Sequence, residues 1–175
     1  MKKPTILFLI IGIIISLCSC SNKGTTKIVD NDHLKAKETI ESVLKAVQNK
    51  DTAELKSLFA KNALSKIQSF DISAEELFKY FDGNVKSFDD GAGPYVETAK
   101  EDGDIFQLME SSFDVTTESN KYRFAMQFIT KGDKNDIGIV SLSILNAKDD
   151  KNPEYAYWGD SLFAPGIHVA VPNEW

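Results

Sequence analysis

The chain has 175 residues, of which 42 % are hydrophobic and 26 % charged, the balance of one globular domain with additional segments. Its formal net charge of −6 excludes nucleic acid, which needs a basic stripe to displace counterions, and anionic lipid held by charge alone. Lysine supplies nearly all the positive charge, and Arg123 is the sole arginine.

Lys2 and Lys3 open the chain, and Ile6 to Leu17 follows as an apolar run interrupted by Gly12 and Ser16. A membrane-spanning helix needs about 20 apolar residues. This shorter run behind a basic start reads as an export signal. Its end, Leu17-Cys18-Ser19-Cys20, resembles the lipobox of bacterial lipoproteins, with Leu three residues before the modified cysteine and a small residue just before it. Cys20 meets both conditions and Cys18 does not. The resemblance implies a signal peptide over residues 1–19, cleavage before Cys20, and a diacylglycerol on its sulfur. Two acyl chains make a stable anchor where one gives only marginal residence, at roughly 0.8 kcal/mol per buried CH₂. Such a chain would sit lipid-anchored on the cell membrane, facing the extracytoplasmic side. It would keep no free thiol, which excludes disulfides and thiolate catalysis in the remainder. Loss of Lys2 and Lys3 would take the side-chain charge to about −8.

Residues 20–30 read as the lipidated N-terminus and a polar tether, and residues 31–175 as the domain. The nine residues from Ser21 to Val29 would span at most ~30 Å when extended. Asp30 to Asp32 offer caps for a first helix, on which Ile40, Val43, Leu44 and Val47 form one apolar stripe. Gln48-Asn49-Lys50 ends it. Asp51 or Thr52 caps a second helix, with Glu54 at capping-box distance from Asp51 and Leu55, Leu58 and Phe59 on the buried face. Ser73 and Glu76 form a second capping box, predicting a third helix through Leu77, Phe78, Tyr80 and Phe81, stopped by Gly83. Asp90 to Pro94 reads as a turn-rich break. Strands follow over Gln107–Thr117, Tyr122–Lys131 and Ile137–Leu145, joined by hairpin turns at 118–120 and 132–136, with a last extended piece near Ile167–Val171. Helices first and hairpin-linked strands second predict an α+β fold: N-terminal helices packed on a curved antiparallel sheet.

The stretch Val43 to Ala63, VLKAVQNKDTAELKSLFAKNA, is similar to the opening of the nuclear-transport-factor-two-like superfamily, whose cystatin-like cone packs helices into the concave side of a curved sheet. More narrowly, the chain resembles uncharacterised lipoproteins of Gram-positive bacteria in which a lipobox precedes such a domain. The resemblance covers about residues 31 to 172. It implies a cone with a cavity that holds small molecules in many relatives and performs isomerase chemistry in some, with an Asp base beside a Tyr and a protonated Asp. Here Lys61 and Asn62 stand where many relatives carry acids, so an isomerase would need Asp71 or Asp114 turned inward.

No phosphate loop, nucleophile elbow or dinucleotide fingerprint is present. Ser42 and Lys45 have the S-x-x-K spacing of some acylating enzymes. Ser42 lies ~200° around the helix from Ile40, however, on the solvated face. His33 and His168 do not form a metal-ligand pair. Asp89-Asp90 and Glu101-Asp102-Gly103-Asp104 lack the full calcium-loop pattern. The residues thus name no catalytic group, no metal ligand and no cofactor. The aromatic residues are the leading binding candidates: Phe81, Tyr122, Phe124, Phe128 and Trp158, with His168 as a polar partner, either wall a small-ligand pocket or fill the core. Trp158 clusters in sequence with Tyr155 and Tyr157. The expected partners are a membrane through the lipid and a small molecule or envelope protein. The alternative is an envelope protein-interaction or structural lipoprotein, with homodimerisation through the sheet face, and an isomerase or hydrolase using the cone cavity is the more distant one.

Overall fold

The computed structural model describes residues 23–101, 104–149, 151–152 and 164–171. Helix α1 (Lys23–Asn49) buries Ala36, Ile40, Val43, Leu44 and Val47, a stripe repeating every three to four residues. It starts upstream of the expected cap at Asp30, and the backbone of residues 23–29 is helical rather than an extended tether. No proline falls between Lys23 and Asn49. A helix nucleated by the packed half can therefore propagate backwards through polar residues that each cost only tenths of a kcal/mol. At the other end Lys50 adopts φ +52°. The Asp51 N–H reaches the Ala46 carbonyl (2.9 Å) and the Lys50 N–H reaches that of Val47 (3.1 Å). These are the two bonds of a Schellman motif, here with lysine in the left-handed position.

The turn delivers Asp51 as the N-cap of α2 (Thr52–Ser57), its Oδ1 accepting from the Glu54 N–H at 2.8 Å. The reciprocal half of the capping box is not made, because the Glu54 carboxylate takes Lys45 Nζ at 2.7 Å. A single helical turn, α3 (Lys61–Leu64), precedes α4 (Phe70–Tyr80). The expected start of α4 at Ser73 is corrected: the Ser73 N–H already bonds the Ser69 carbonyl (3.1 Å). The additional turn buries Phe70, whose ring meets Phe59 edge-on at 5.0 Å. Burial of an aromatic ring outweighs the local signal of a capping box. Phe81 is already extended at the C-cap, so α4 ends before Gly83. Gly83 (φ +85°) is needed one step later, where a Cβ would stand 3.0 Å from the hydroxyls of Thr117 and Ser119.

The strands form one open sheet in the order β1-β2-β3-β4-β5: β1 (Val85–Glu101), β2 (Asp104–Thr117), β3 (Lys121–Lys131), β4 (Gly138–Asn146) and β5 (Gly166–Val169). The first four pair antiparallel, and β5 runs parallel to β4. The fold is therefore α+β, and the turns at 118–120 and 132–136 fall between strands as expected. Strand β1 has no counterpart in the sequence reading. Asp90–Pro94, read there as a break, lies within it and forms bulges opposite Ser112 and Glu110. One face of the sheet presents Met109, Phe113, Val115, Tyr122, Phe124, Met126, Leu142 and Ile144 to the helices, and these side chains with the stripes of α1 and α4 make the core. α4 also lies against β5, whose Ile167 joins that core.

Candidate functional site

The candidate pocket aromatics are core residues. Phe81, Tyr122, Phe124 and Phe128 are all buried. Phe81 stacks obliquely on Tyr122 at 4.9 Å and meets Phe124 edge-on at 5.8 Å. Alternation along β3 puts Tyr122, Phe124 and Phe128 on the helix side, and Phe81 enters from the end of α4. The Tyr122 hydroxyl accepts from the Asp82 N–H (2.9 Å) and donates to the Tyr80 carbonyl (3.1 Å), tying β3 to the exit of α4. That satisfies its one polar atom within the protein.

His168 sits on β5 beside Ser143 of β4, on the face away from Ile167 and the core. Its Nε2 contacts the Ala164 carbonyl at 2.9 Å. Cys20 and Trp158, with Tyr155 and Tyr157, lie outside the described residues.

The carboxylates that an isomerase would need inside are held elsewhere. Asp71 is exposed and pairs with Lys56 Nζ at 3.2 Å. Asp114 lies on the far side of the sheet, gripped by Arg123 through Nε (2.6 Å) and Nη2 (3.0 Å) in a two-point fork. The Ser42 hydroxyl donates to the Glu38 carbonyl of its own helix (2.9 Å) rather than to Lys45. Lys45 instead pairs with Glu54, whose hydrogen bond and negative charge hold the ammonium above the usual lysine range. The pair is intact at neutral pH and is lost as pH rises through that raised value. His33 comes within 3.9 Å of Asp90. Among the described residues no cluster of His, Cys, Asp or Glu has the arrangement of a metal site.

Two open grooves flank α1. The first, about 350 Å³, lies between its C-terminal half and the start of β1, lined by Leu44, Lys45, Gln48, Asn84, Val85 and Phe88 among others. The second, about 360 Å³, lies between its N-terminal half and the ends of β2 and β3. Its floor is a buried polar pair: the Thr130 hydroxyl donates to Gln107 Oε1 at 2.8 Å, the two residues being 8 % and 5 % exposed. The register explains the pair. Gln107 faces Lys131 and Leu108 faces Ile129, so Thr130 is the extra residue of a bulge. Such a bulge sets two residues against one and re-aims their side chains. None of Phe81, Tyr122, Phe124, Phe128 and His168 lines either groove. Sequence reasoning missed the second groove because Gln107 and Thr130 look like ordinary strand residues until the bulge brings them together.

A search of the curated proteins finds no match. A family described as a domain of unknown function (DUF5104) matches residues 42–148. The match runs from the middle of α1 to the short 3₁₀ turn after β4 (Ala147–Asp149). The helix wall of the second groove lies outside it.

Proposed function

We propose, for a chain that belongs to the DUF5104 family, a role as a membrane-anchored extracytoplasmic binding lipoprotein. Leu17-Cys18-Ser19-Cys20 carries the reading: a leucine and a small residue ahead of a cysteine, directly behind a basic start and a short apolar run. No helix among the described residues is long and apolar enough to cross a membrane. A lipid on Cys20 would hold the α+β domain to the bilayer. The domain is of the cone-like kind, and it binds through the surface beside α1.

Metabolic labelling with a clickable palmitate analogue tests the anchor. The full chain should incorporate label and fractionate with membranes. Cys20→Ser should lose both properties and Cys18→Ser should keep both. Label that survives Cys20→Ser would end the lipoprotein reading.

One observation favours an envelope protein as the bound partner. Tyr95 and Val96 of β1 and Ile105 and Phe106 of β2 are large apolar residues left exposed on one hairpin, apolar area that a bound partner would remove from water. Native mass spectrometry of the detergent-solubilised chain separates the two kinds of binding. A dissociable small mass supports ligand binding, and a dimer or a co-purified protein supports the hairpin surface.

A further inference from the structure

We propose that the end of the domain carrying the β1–β2 hairpin sets its apolar side chains into the headgroup layer of the bilayer that holds Cys20, an assignment that deepens the membrane-anchored reading and rests on it. The direction of α1 places the anchor. Its C-terminal half lies beside the start of β1, in the groove of Leu44, Val85 and Phe88. Its N-terminal half lies beside Gln107 and Lys131, where β2 begins and β3 ends. Between the two, His33 comes within 3.9 Å of Asp90. Helix α1 therefore starts at the end of the sheet where β1 turns into β2 and β3 into β4. Cys20 precedes Lys23, the first helical residue, by three positions. Three extended residues span at most ~11 Å, so a lipid on Cys20 enters the bilayer beside that end of the domain.

The exposed apolar residues share this polarity. Leu34 of α1, Tyr95 and Val96 of β1, Ile105 and Phe106 of β2 and Ile137 just before β4 are large and exposed, and all belong to this end. Among the described residues no large apolar side chain is exposed at the opposite end, where α1 and α4 finish and residues 118–120 join β2 to β3. The hairpin also presents its apolar residues on both faces. Val96 pairs with Met109 of the core, and alternation puts Ile105 on that same helix side. Tyr95 pairs with Glu110 on the other face, which Phe106 shares. A protein docked on one face would leave the other in water. Lipid surrounds an inserted hairpin on both faces, and tyrosine suits that boundary, its ring apolar and its hydroxyl wet. Charge does not supply the attraction, because Lys35, Lys100 and Lys131 stand at this end with Asp32, Glu97 and Asp104. The acyl chains hold the protein, and at the local concentration they impose, a weak apolar contact is enough to fix how the domain stands.

The test uses the full chain, lipidated in a bacterial host, purified in detergent and reconstituted into phosphatidylcholine vesicles. With Cys20 acylated and Cys18 removed with the signal, one introduced cysteine carries a polarity-sensitive dye. Tyr95→Cys and Ile105→Cys report on the two faces of the hairpin, and Lys121→Cys reports on the opposite end. All three side chains are exposed, so each variant should melt close to the unmodified chain. Brominated phosphatidylcholine should quench the dye at positions 95 and 105 and leave the dye at 121 at full intensity. The quenching should persist in high salt and need no phosphatidylglycerol.

Equal quenching at all three positions, or none at 95 and 105, would overturn the bilayer contact. So would dyes at 95 and 105 that are shielded from water yet untouched by bromine, the mark of a protein partner or a second copy. Quenching that needs phosphatidylglycerol and vanishes in salt would overturn the apolar basis of the contact. The anchoring reading fails separately. Dye taken up by the chain with no introduced cysteine reports an unacylated Cys20 and ends the lipoprotein reading, and the contact with it. No such uptake beside an unquenched hairpin keeps the anchor and ends the contact alone.

Discussion

Tyr122 serves the fold twice, through its ring and through its hydroxyl. The ring packs with Phe81, and the hydroxyl satisfies two backbone groups where α4 turns toward the sheet. Tyr122→Phe keeps the ring and removes the hydroxyl from both hydrogen bonds, so it should destabilise the domain by about 1–3 kcal/mol. Urea unfolding measures this, with the midpoint falling and the slope unchanged. Gly138 has another kind of necessity. Its φ is +129°, and a Cβ there would lie 2.7 Å from the Ala60 nitrogen, where the chain after α2 is stitched to β4. Backbone is the obstacle, so no side chain can swing aside. Gly138→Ala should cost about 3 kcal/mol or more, read as a fall in melting temperature. Neither role is visible in the sequence. Tyr122 could be placed on an apolar strand face from its alternation with Phe124, Met126 and Phe128. Alternation does not say whether such a face lines a cavity or closes against helices. The answer depends on Phe81, Leu77 and Val43, which come from elements far away in the chain.

The elements that the sequence revealed have strong periods and local caps. The stripe of α1, the Asp51 cap of α2 and the alternation of β3 each depend on residues within a few positions of one another. β1 was hidden for the opposite reason. Its partner is β2, its side chains are mostly exposed, and its middle is Asp-Asp-Gly-Ala-Gly-Pro, a composition that marks turns when nothing pairs with it. Pairing with β2 overrides that composition. The same residues suit an edge that no strand joins among the described residues, since bulges, a proline and charges discourage another strand from adding. The outer half is less protected and depends on Glu97 and Lys100 between exposed apolar neighbours. Replacing both, as Glu97→Val with Lys100→Val, should drive concentration-dependent self-association, visible by light scattering while the melting temperature stays nearly constant. Lys50 at the α1–α2 junction makes the converse point. A lysine at φ +52° carries a strain that glycine lacks, roughly 1–2 kcal/mol. Lys50→Gly should stabilise the domain by about 0.5–1 kcal/mol in urea unfolding, after allowance for the freer unfolded chain.

At the scale of the whole molecule, the strand order follows the chain order, so each of the first four strands pairs with the one just made. Among the described strands β5 alone breaks the pattern. It runs parallel to β4, reached by a crossover beginning at the 3₁₀ turn, and it fits against α4 as well. The backbone of Ala170 fixes it further, its N–H bonding the Ile144 carbonyl at 2.9 Å. Ribosomes and export channels both deliver a chain from its N-terminus. The helices and the four-strand meander emerge first, with the outer edge of β4 open and one side of α4 uncovered. Those surfaces stay uncovered until Ile167 arrives. The closing strand acts as a latch that only a chain delivered as far as Val169 can fasten. A polypeptide cut short before it would present the raw edge of β4 to any strand that could pair with it.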